Sequence, residues 1–158
     1  MKRYAIVTGV LLVSFALPLQ AEYSADSYST CSACHLDDGS GIPGAFPGIR
    51  NRAARMAQLD GGRQYLIVAV MYGLMGVIQV DGVQYFGVMP GNAGAMSAGE
   101  IAAVLNYVVF ELNDGSMELA PFTANEVIAV EASVTSKSPA GGGTLRAELV
   151  AQHGDKWP

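Results

Sequence analysis

A small, mainly α-helical domain is the fold class that the sequence predicts. Two capping boxes mark helix starts, one from Ser97 to Glu100 and one from Thr123 to Glu126, because a Ser or Thr followed three positions later by Glu satisfies free N–H groups of the first turn. The first box precedes apolar residues at helical spacing, which are Ile101, Val104, Leu105, Val108 and Leu112. One strong β-hairpin signal accompanies them, so helices should dominate the fold.

The N-terminus has the features of an export signal. Lys2 and Arg3 precede the apolar run 5–17, and Ala21 suits the position before a cleavage site. The run has 13 residues, whereas a membrane span needs about 20. We therefore expect residues 1–21 to be a cleaved signal peptide that directs the chain to the periplasm, with an uncleaved anchor as the alternative. No membrane span is expected in the mature chain.

The mature chain should be acidic. Removal of the signal peptide lowers Lys plus Arg from 9 to 7 and leaves the 14 acidic residues in place. Such a surface repels nucleic acid, so we expect no nucleic-acid partner.

Two further helices and a hairpin are predicted before the first capping box. Residues 24–35 can form a short helix with Ser24 as its N-cap, and the glycine- and proline-rich stretch 36–51 should be a loop. A second helix should begin after Asp60, although its β-branched run also permits a buried strand. The dipeptide Asp81-Gly82 then predicts a tight hairpin turn.

The C-terminal residues 116–158 form a separate region in composition. The capping box at Thr123 predicts a helix with Val127, Val130 and Val134 on one stripe. The stretch "SKSPAGGG", residues 136–143, is typical of a flexible linker, and residues 144–158 should form a short frayed helix and tail.

The motif Cys31-Ser-Ala-Cys34-His35 is the attachment signature of c-type haem. On one helical turn, thiols at i and i+3 share a face, so each can bond a different vinyl group of one porphyrin. His35 is then placed to reach the iron. The alternatives are a structural disulfide, a thioredoxin-like redox pair, and a zinc site to which His153 would supply a second nitrogen.

The sixth iron position decides between electron transfer and chemistry on small molecules. Met89 follows the second hairpin arm, precedes Pro90, and is far enough from His35 in sequence for the chain to return to the opposite haem face. Met96 is the rival, but it directly precedes the Ser97 cap, where an apolar residue commonly packs against the helix. His153 would have to fold across the haem edge.

The chain resembles the small monohaem class I cytochromes c of bacterial periplasms. The matching segments are "CSACHLDDGSG", "PGAFPGI", "MYGLMG", "YFGVMP" and "MSAGEIAAVLNYV", within residues 24 to about 112. The hairpin followed by Tyr-x-x-x-Met-Pro is most similar to cytochrome subunits that accept electrons from periplasmic dehydrogenases. The resemblance implies short helices wrapped around one covalent haem, a small β-hairpin before the axial Met, and an extra C-terminal helical tail.

The same resemblance implies a role for each matching site residue. Cys31 and Cys34 would carry the thioethers of one haem c, with His35 and Met89 as the axial ligands. The carbonyl of Pro47 would accept the Nδ1 hydrogen of His35, a role less suited to Pro43. Such a bond fixes the imidazole and strengthens its donation to iron.

Side chains outside the motif are candidates for contacts with the cofactor. One arginine of the cluster Arg50, Arg52 and Arg55 could hold a haem propionate, since guanidinium groups suit carboxylates, and a solvated loop is the alternative. Three tyrosines could pack on the porphyrin or simply lie in the core, and these are Tyr65, Tyr85 and Tyr107.

These features predict a periplasmic one-electron carrier and not an enzyme. Its expected partners are redox proteins, namely a dehydrogenase as donor and another cytochrome or an oxidase as acceptor. Residues 22–115 would form the haem domain, and residues 116–158 would either clamp a partner or dock on their own core. If Met89 is not a ligand, a haem enzyme or a gas or peroxide sensor is the alternative. A haem-free exported module is the third hypothesis.

Overall fold

The computed structural model describes residues 25–115 and 117–158. The predicted signal peptide and the predicted N-cap at Ser24 lie outside these residues. In the described part, no helix combines the length and the apolar character needed to cross a bilayer.

The described chain is mainly α-helical with one antiparallel hairpin, which confirms the predicted fold class. The six helices of the described residues are α1 (Ala25–His35), α2 (Arg52–Ala57), α3 (Gly62–Tyr72), α4 (Ala98–Asn106), α5 (Ala124–Ser133) and α6 (Pro139–His153). The two strands are β1 (Leu74–Val80) and β2 (Val83–Met89). A π-helical turn, Tyr107–Glu111, extends α4, and a 3₁₀ turn, Gly154–Lys156, follows α6.

One apolar core joins these helices. Helix α1 crosses the end of α4, where the rings of Tyr28 and Tyr107 lie 5.2 Å apart. The predicted stripe of α4 and its π-helical extension is buried from Ile101 to Leu112. Phe122 and Val127, from the C-terminal region, are fully buried in the same core. The C-terminal residues therefore pack on the helices that precede them.

The strongest local signals of the sequence are confirmed. Ser97 accepts a hydrogen bond from the N–H of Glu100, and the Glu100 carboxylate accepts one from the N–H of Ser97. Asp81 and Gly82 both have a left-handed backbone, with φ of 52° and 77°. Two such residues match the twist of the flanking strands, and the register pairs Leu74 with Met89. The segment after Asp60 is a helix, not a strand.

Helix α2 was not predicted, whereas α5 was. The segment of the basic cluster contains α2, which starts after Asn51 in a left-handed conformation with no side-chain cap. At Thr123 the predicted cap of α5 is present, since its hydroxyl accepts from the N–H of Glu126. The carboxylate of Glu126 bonds Nε and Nη2 of Arg63 at 2.7 and 2.6 Å, which ties α5 to α3.

The prediction of a flexible linker at 136–143 is wrong for residues 139–143, which form the first part of α6. Ser138 caps α6 by accepting from the N–H of Gly141, and the helix runs through all three glycines. Glycine is needed there because α6 lies directly on β1. A Cβ on Gly142 would be 2.3 Å from the carbonyl oxygen of Gly73, and one on Gly143 would be 2.4 Å from that of Met75.

Candidate cofactor site

Two adjoining cavities lie between the end of α1, the loop 36–51 and the hairpin. They share six lining residues, which are Cys31, His35, Pro47, Leu74, Ile78 and Met89. One cavity extends outward along the hairpin to Phe86 and Val88, and the other extends inward toward α3 and α4. The walls are mainly apolar, so a bound group would be shielded from water over much of its surface.

His35 is the last residue of α1 and is 8% exposed. Its Nδ1 lies 2.8 Å from the carbonyl oxygen of Pro47. With Nδ1–H as the donor, Nε2 carries a lone pair that is free to coordinate a metal. Burial lowers the pKa of His35, and the bond to Pro47 acts in the opposite direction. The neutral, coordinating form is therefore favoured at neutral pH.

The loop after His35 is folded back tightly, which brings Pro47 to the imidazole. The N–H of Gly41 donates to the carbonyl of His35 at 3.0 Å, and Gly41 has a φ of +69°. A Cβ at Gly41 would lie 2.5 Å from the carbonyl oxygen of Phe46. Pro43 lies at the exposed tip of the loop and does not line either cavity.

Cys31 and Cys34 are free thiols on the cavity side of α1. The disulfide alternative is therefore not realised. Burial raises the pKa of the Cys31 thiol, with a smaller contribution from Cys34. A thioredoxin-like βαβ unit does not occur in the described residues, whose two strands form a hairpin. Nor do these residues contain a cluster of three or more His, Cys, Asp or Glu that could hold a metal ion.

Met89 lies at the end of β2, and of the described methionines it alone lines both cavities. Met96 lines neither cavity and packs against the apolar core beside the start of α4. Met75 and Met56 each line one cavity, Met75 being 48% exposed on the outer face of the hairpin.

The chain on both sides of Met89 is held close to α3. Gly73, with a φ of +78°, allows close approach, because a Cβ there would lie 2.1 Å from the carbonyl oxygen of Met89. After the strand, the N–H of Asn92 donates to the carbonyl of Val70 at 2.9 Å, and that of Ala93 donates to Met71 at 2.9 Å. These contacts fix the backbone of Met89 at the cavity wall.

Polar side chains line the inner cavity, and the sequence analysis named only some of them. Arg52 lines it, whereas Arg50 is bound to Asp114, and Arg55 lies on the exposed side of α2. Tyr65 and Arg146 line the same end. Burial raises the pKa of Tyr65 to about 12, so its hydroxyl stays protonated at neutral pH.

Arg146 is a site residue that the sequence analysis missed, because the end of the chain has the composition of a frayed tail. The residues Gly142, Arg146 and Leu149 of α6 are all buried and follow helical spacing. An arginine at helical spacing between Gly142 and Leu149 is the sequence signal that would have identified Arg146 as a buried residue. His153, the rival ligand, instead places Nε2 2.8 Å from the carbonyl oxygen of Asp60 and stacks on Trp157, outside both cavities.

The residues of the two cavities fit a c-type haem. Two reduced thiols at i and i+3, an imidazole with Nε2 available and a thioether are the side chains that such a group requires. The apolar walls suit the porphyrin face. The buried arginines at the inner end suit its carboxylates.

Two known proteins are similar to this chain over most of its length. The chain is 43% identical over 129 residues to a cytochrome c-552 of Thermus thermophilus, an alignment that covers 80% of this chain and 84% of the relative. A second cytochrome c-552 of Thermus thermophilus is 44% identical over 102 residues, covering 63% of this chain and 77% of the relative. No protein-family model matches the chain.

Proposed function

Since the chain belongs to the monohaem class I c-type cytochromes, we propose that it carries single electrons on one haem held covalently by Cys31 and Cys34. The protein is an electron-transfer protein and not an enzyme. Bound haem c supplies a ferric and ferrous couple. The chain supplies the ligands, an apolar enclosure and an edge at which redox partners meet the cofactor.

His35 and Met89 are the proposed axial ligands. The observation that carries this proposal is the His35–Pro47 bond of 2.8 Å, which orients the ring and leaves Nε2 for iron. Met89 completes the pair because its backbone is fixed at the wall that both cavities share. A thioether ligand favours the ferrous state and raises the reduction potential relative to a second imidazole. Two protein ligands also leave no open position for substrate.

Electron donors and acceptors should meet the chain at the mouth of the outer cavity. Phe46, Met75, Phe86 and Val88 line this cavity and are exposed, Phe86 to 82%. An exposed apolar patch next to a buried site suits brief protein contacts. The proposed donor is a dehydrogenase, and the proposed acceptor is another cytochrome or an oxidase.

Export to the periplasm is proposed from residues 1–21, with residues 22–115 as the haem domain and 116–158 as its C-terminal extension. Haem attachment through Cys31 and Cys34 requires reduced thiols and an export route. A cleaved signal peptide provides the export route. The N-terminal sequence and the intact mass of the purified protein test the cleavage after Ala21. An uncleaved anchor would leave the protein in the membrane fraction.

Spectroscopy of ligand variants tests the proposed iron site. We expect wild-type protein, produced with the haem-attachment machinery, to show a Soret band and the weak far-red band of methionine bound to ferric iron. Met89→Ala should lose the far-red band, bind carbon monoxide rapidly and have a lower midpoint potential. Met96→Ala is the matched control. It should keep the far-red band, the slow reaction with carbon monoxide and the midpoint potential of wild type. Wild-type behaviour of Met89→Ala would overturn the ligand proposal and favour a different sixth ligand or an open site.

A further inference from the structure

The hairpin has two edges, and helix α6 covers the one that β1 forms. A Cβ on Gly143 of α6 would lie 2.4 Å from the carbonyl oxygen of Met75, so the helix backbone lies against the strand there. Farther along, Nη2 of Arg146 donates to the carbonyl oxygen of Gln79 at 2.9 Å. The outward backbone groups of β1 therefore face the protein's own C-terminal helix.

The other edge of the hairpin is formed by β2. A two-residue turn makes the residues beside it, Val80 and Val83, a hydrogen-bonded pair, and such pairs alternate along the ladder with pairs that are not hydrogen-bonded. Gln84, Phe86 and Val88 are in the second kind of pair. Their N–H and C=O groups therefore point away from β1.

The contacts of α6 support this assignment independently. The carbonyls of Met75 and Gln79 point to α6 and thus away from β2, and these two residues pair with Val88 and Gln84. No hydrogen bond from the described residues satisfies the outward N–H and C=O groups of β2. An unpaired edge of this kind is a template for a further strand.

The sequence of β2 lacks the features that usually prevent such pairing. Val83–Met89 contains no charged residue and no proline, and its register with β1 has no bulge. Phe86, at the centre of the strand, is 82% exposed, and Val88 is 62% exposed. The edge is therefore apolar, unpaired and accessible.

We propose that β2 pairs with β2 of a second copy of this chain, antiparallel and with Phe86 opposite Phe86. Gln84 of each copy then faces Val88 of the other, so the same three residues of both copies supply all the donors and acceptors. The two exposed phenyl rings become cross-strand neighbours, which is a favourable pairing. The two hairpins form one four-stranded sheet. This inference goes beyond electron transfer by one copy and does not depend on the axial ligands.

Charge favours a second copy at this edge. The chain has a formal net charge of −5, so two copies repel each other wherever their acidic residues meet. Residues 82–99 contain no Asp, Glu, Lys or Arg. The nearest acid is Asp81, and the two copies of it would be roughly 34 Å apart along the strands, at a rise of about 3.4 Å per residue. This separation is far beyond the Debye length of about 8 Å at physiological ionic strength.

The dimer should be weak and reversible. One pair of strand edges buries less surface than the roughly 1,200–2,000 Å² of a stable interface. We therefore expect a dissociation constant of about 0.01–1 mM. Sedimentation equilibrium of the purified holoprotein measures it. Added salt should increase the dimer fraction, because it screens the remaining repulsion between two acidic proteins.

Two substitutions of Gln84 form a matched pair, because this residue lines neither cavity. Gln84→Pro removes an outward N–H without removing a bond to β1, and it should weaken dimerisation about tenfold or more. Gln84→Ala keeps the N–H and should dimerise like wild type. The Soret band, the far-red band and the circular dichroism of both variants should match wild type.

Charged residues at position 86 test the register. Phe86→Lys and Phe86→Glu should each abolish the dimer, because two like charges would face each other directly. A mixture of these two variants should form a heterodimer. Ile128→Lys is the control, since Ile128 is 53% exposed on α5, away from the hairpin. This variant should dimerise like wild type.

Three results would overturn the inference. The first is a wild-type protein that stays monomeric up to about 1 mM, which would leave the edge to a strand of a different protein. The second is equal dimerisation of Gln84→Pro and Gln84→Ala. The third is a mixture of the two Phe86 variants that remains monomeric, because the proposed register places these side chains opposite each other.

Discussion

At the scale of single residues, Asn106 attaches the C-terminal region to the helical core. Its side chain is fully buried, donates to the carbonyl of Phe122 at 3.0 Å and accepts from the N–H of Phe122 at 2.7 Å. One side-chain amide thus satisfies both backbone groups of a residue that is itself fully buried. Such groups are costly to leave unpaired.

Replacing Asn106 should therefore destabilise the whole protein. We expect Asn106→Ala to lower the free energy of unfolding by about 2–4 kcal/mol, because two buried backbone groups lose their partners. Urea denaturation followed by circular dichroism measures the change. Asn125→Ala, at an exposed position of α5, should change stability by less than about 0.5 kcal/mol. Equal effects of the two substitutions would show that the Asn106 bonds contribute nothing.

A second single residue, Asp114, makes a pH-dependent contribution to the free energy of unfolding. It accepts hydrogen bonds from Arg50 and from Nδ2 of Asn51, and these partners, Arg50 first, lower its pKa. Because the folded-state pKa is below the unfolded value of about 3.9, the stabilisation is complete above the unfolded pKa and is lost as pH falls through the folded pKa.

The stability difference between wild type and Asp114→Asn should follow this pH dependence. We expect wild type to be the more stable at pH 7, and the difference to shrink in acid as Asp114 becomes protonated. Urea midpoints measured for both proteins from neutral to acidic pH test this. A difference that stays constant over the range would contradict the assignment.

At the scale of elements, α6 depends on the close contact of its glycines with β1. Gly142 and Gly143 face carbonyl oxygens of Gly73 and Met75 at distances that leave no room for a Cβ. Such a run has the composition of a linker, since glycine weakens isolated helices. Packing against the strand provides the missing stability.

Adding one methyl group at this contact should be unfavourable. We expect Gly143→Ala to lower the free energy of unfolding by about 1–3 kcal/mol through overpacking against backbone. Gly99→Ala is the control, because a Cβ there meets only the Ser97 hydroxyl at 3.9 Å. This control should be neutral or stabilising by up to about 1 kcal/mol. Thermal unfolding of both variants and of wild type measures these changes in stability. A Gly143→Ala variant more stable than wild type would refute the close contact.

The elements also show which features were predictable. The capping box at Ser97 and the Asp81-Gly82 turn are local, so the sequence alone identified them. Helix α2 lacks a side-chain cap and α6 contains three glycines, so both depend on contacts with distant residues. The site residues divide in the same way into those that a local motif reveals and those that depend on distant contacts. Cys31, Cys34 and His35 form a contiguous motif, whereas Arg146 reaches the cavity only through the packing of α6.

At the scale of the whole molecule, the C-terminal region belongs to the apolar core that the described helices share. Leu149 and Trp157 are buried with residues of α3 and α4, and the Trp157 ring lies 5.3 Å from that of Tyr65. The sequence left two roles open for residues 116–158, clamping a partner or docking on the core of their own chain. The contacts of Leu149 and Trp157 correspond to the second role.

The single tryptophan of the chain reports whether this region unfolds together with the site. We expect Trp157 fluorescence, quenched by nearby haem in the folded protein, and the far-red methionine band to change at the same urea concentration, because one core should unfold in one step. A fluorescence transition at clearly lower urea would show that the extension is an independent unit.

The proposed electron transfer requires one haem bonded to Cys31 and Cys34 within the fold. Intact-mass spectrometry of purified protein, combined with a pyridine haemochrome spectrum, tests this attachment most directly. We predict the mass of residues 22–158 plus one haem, with the haem resistant to acidic acetone, and loss of that resistance when both cysteines are replaced by alanine. A polypeptide mass without haem, and no Soret band after coexpression with the attachment machinery, would contradict the claim.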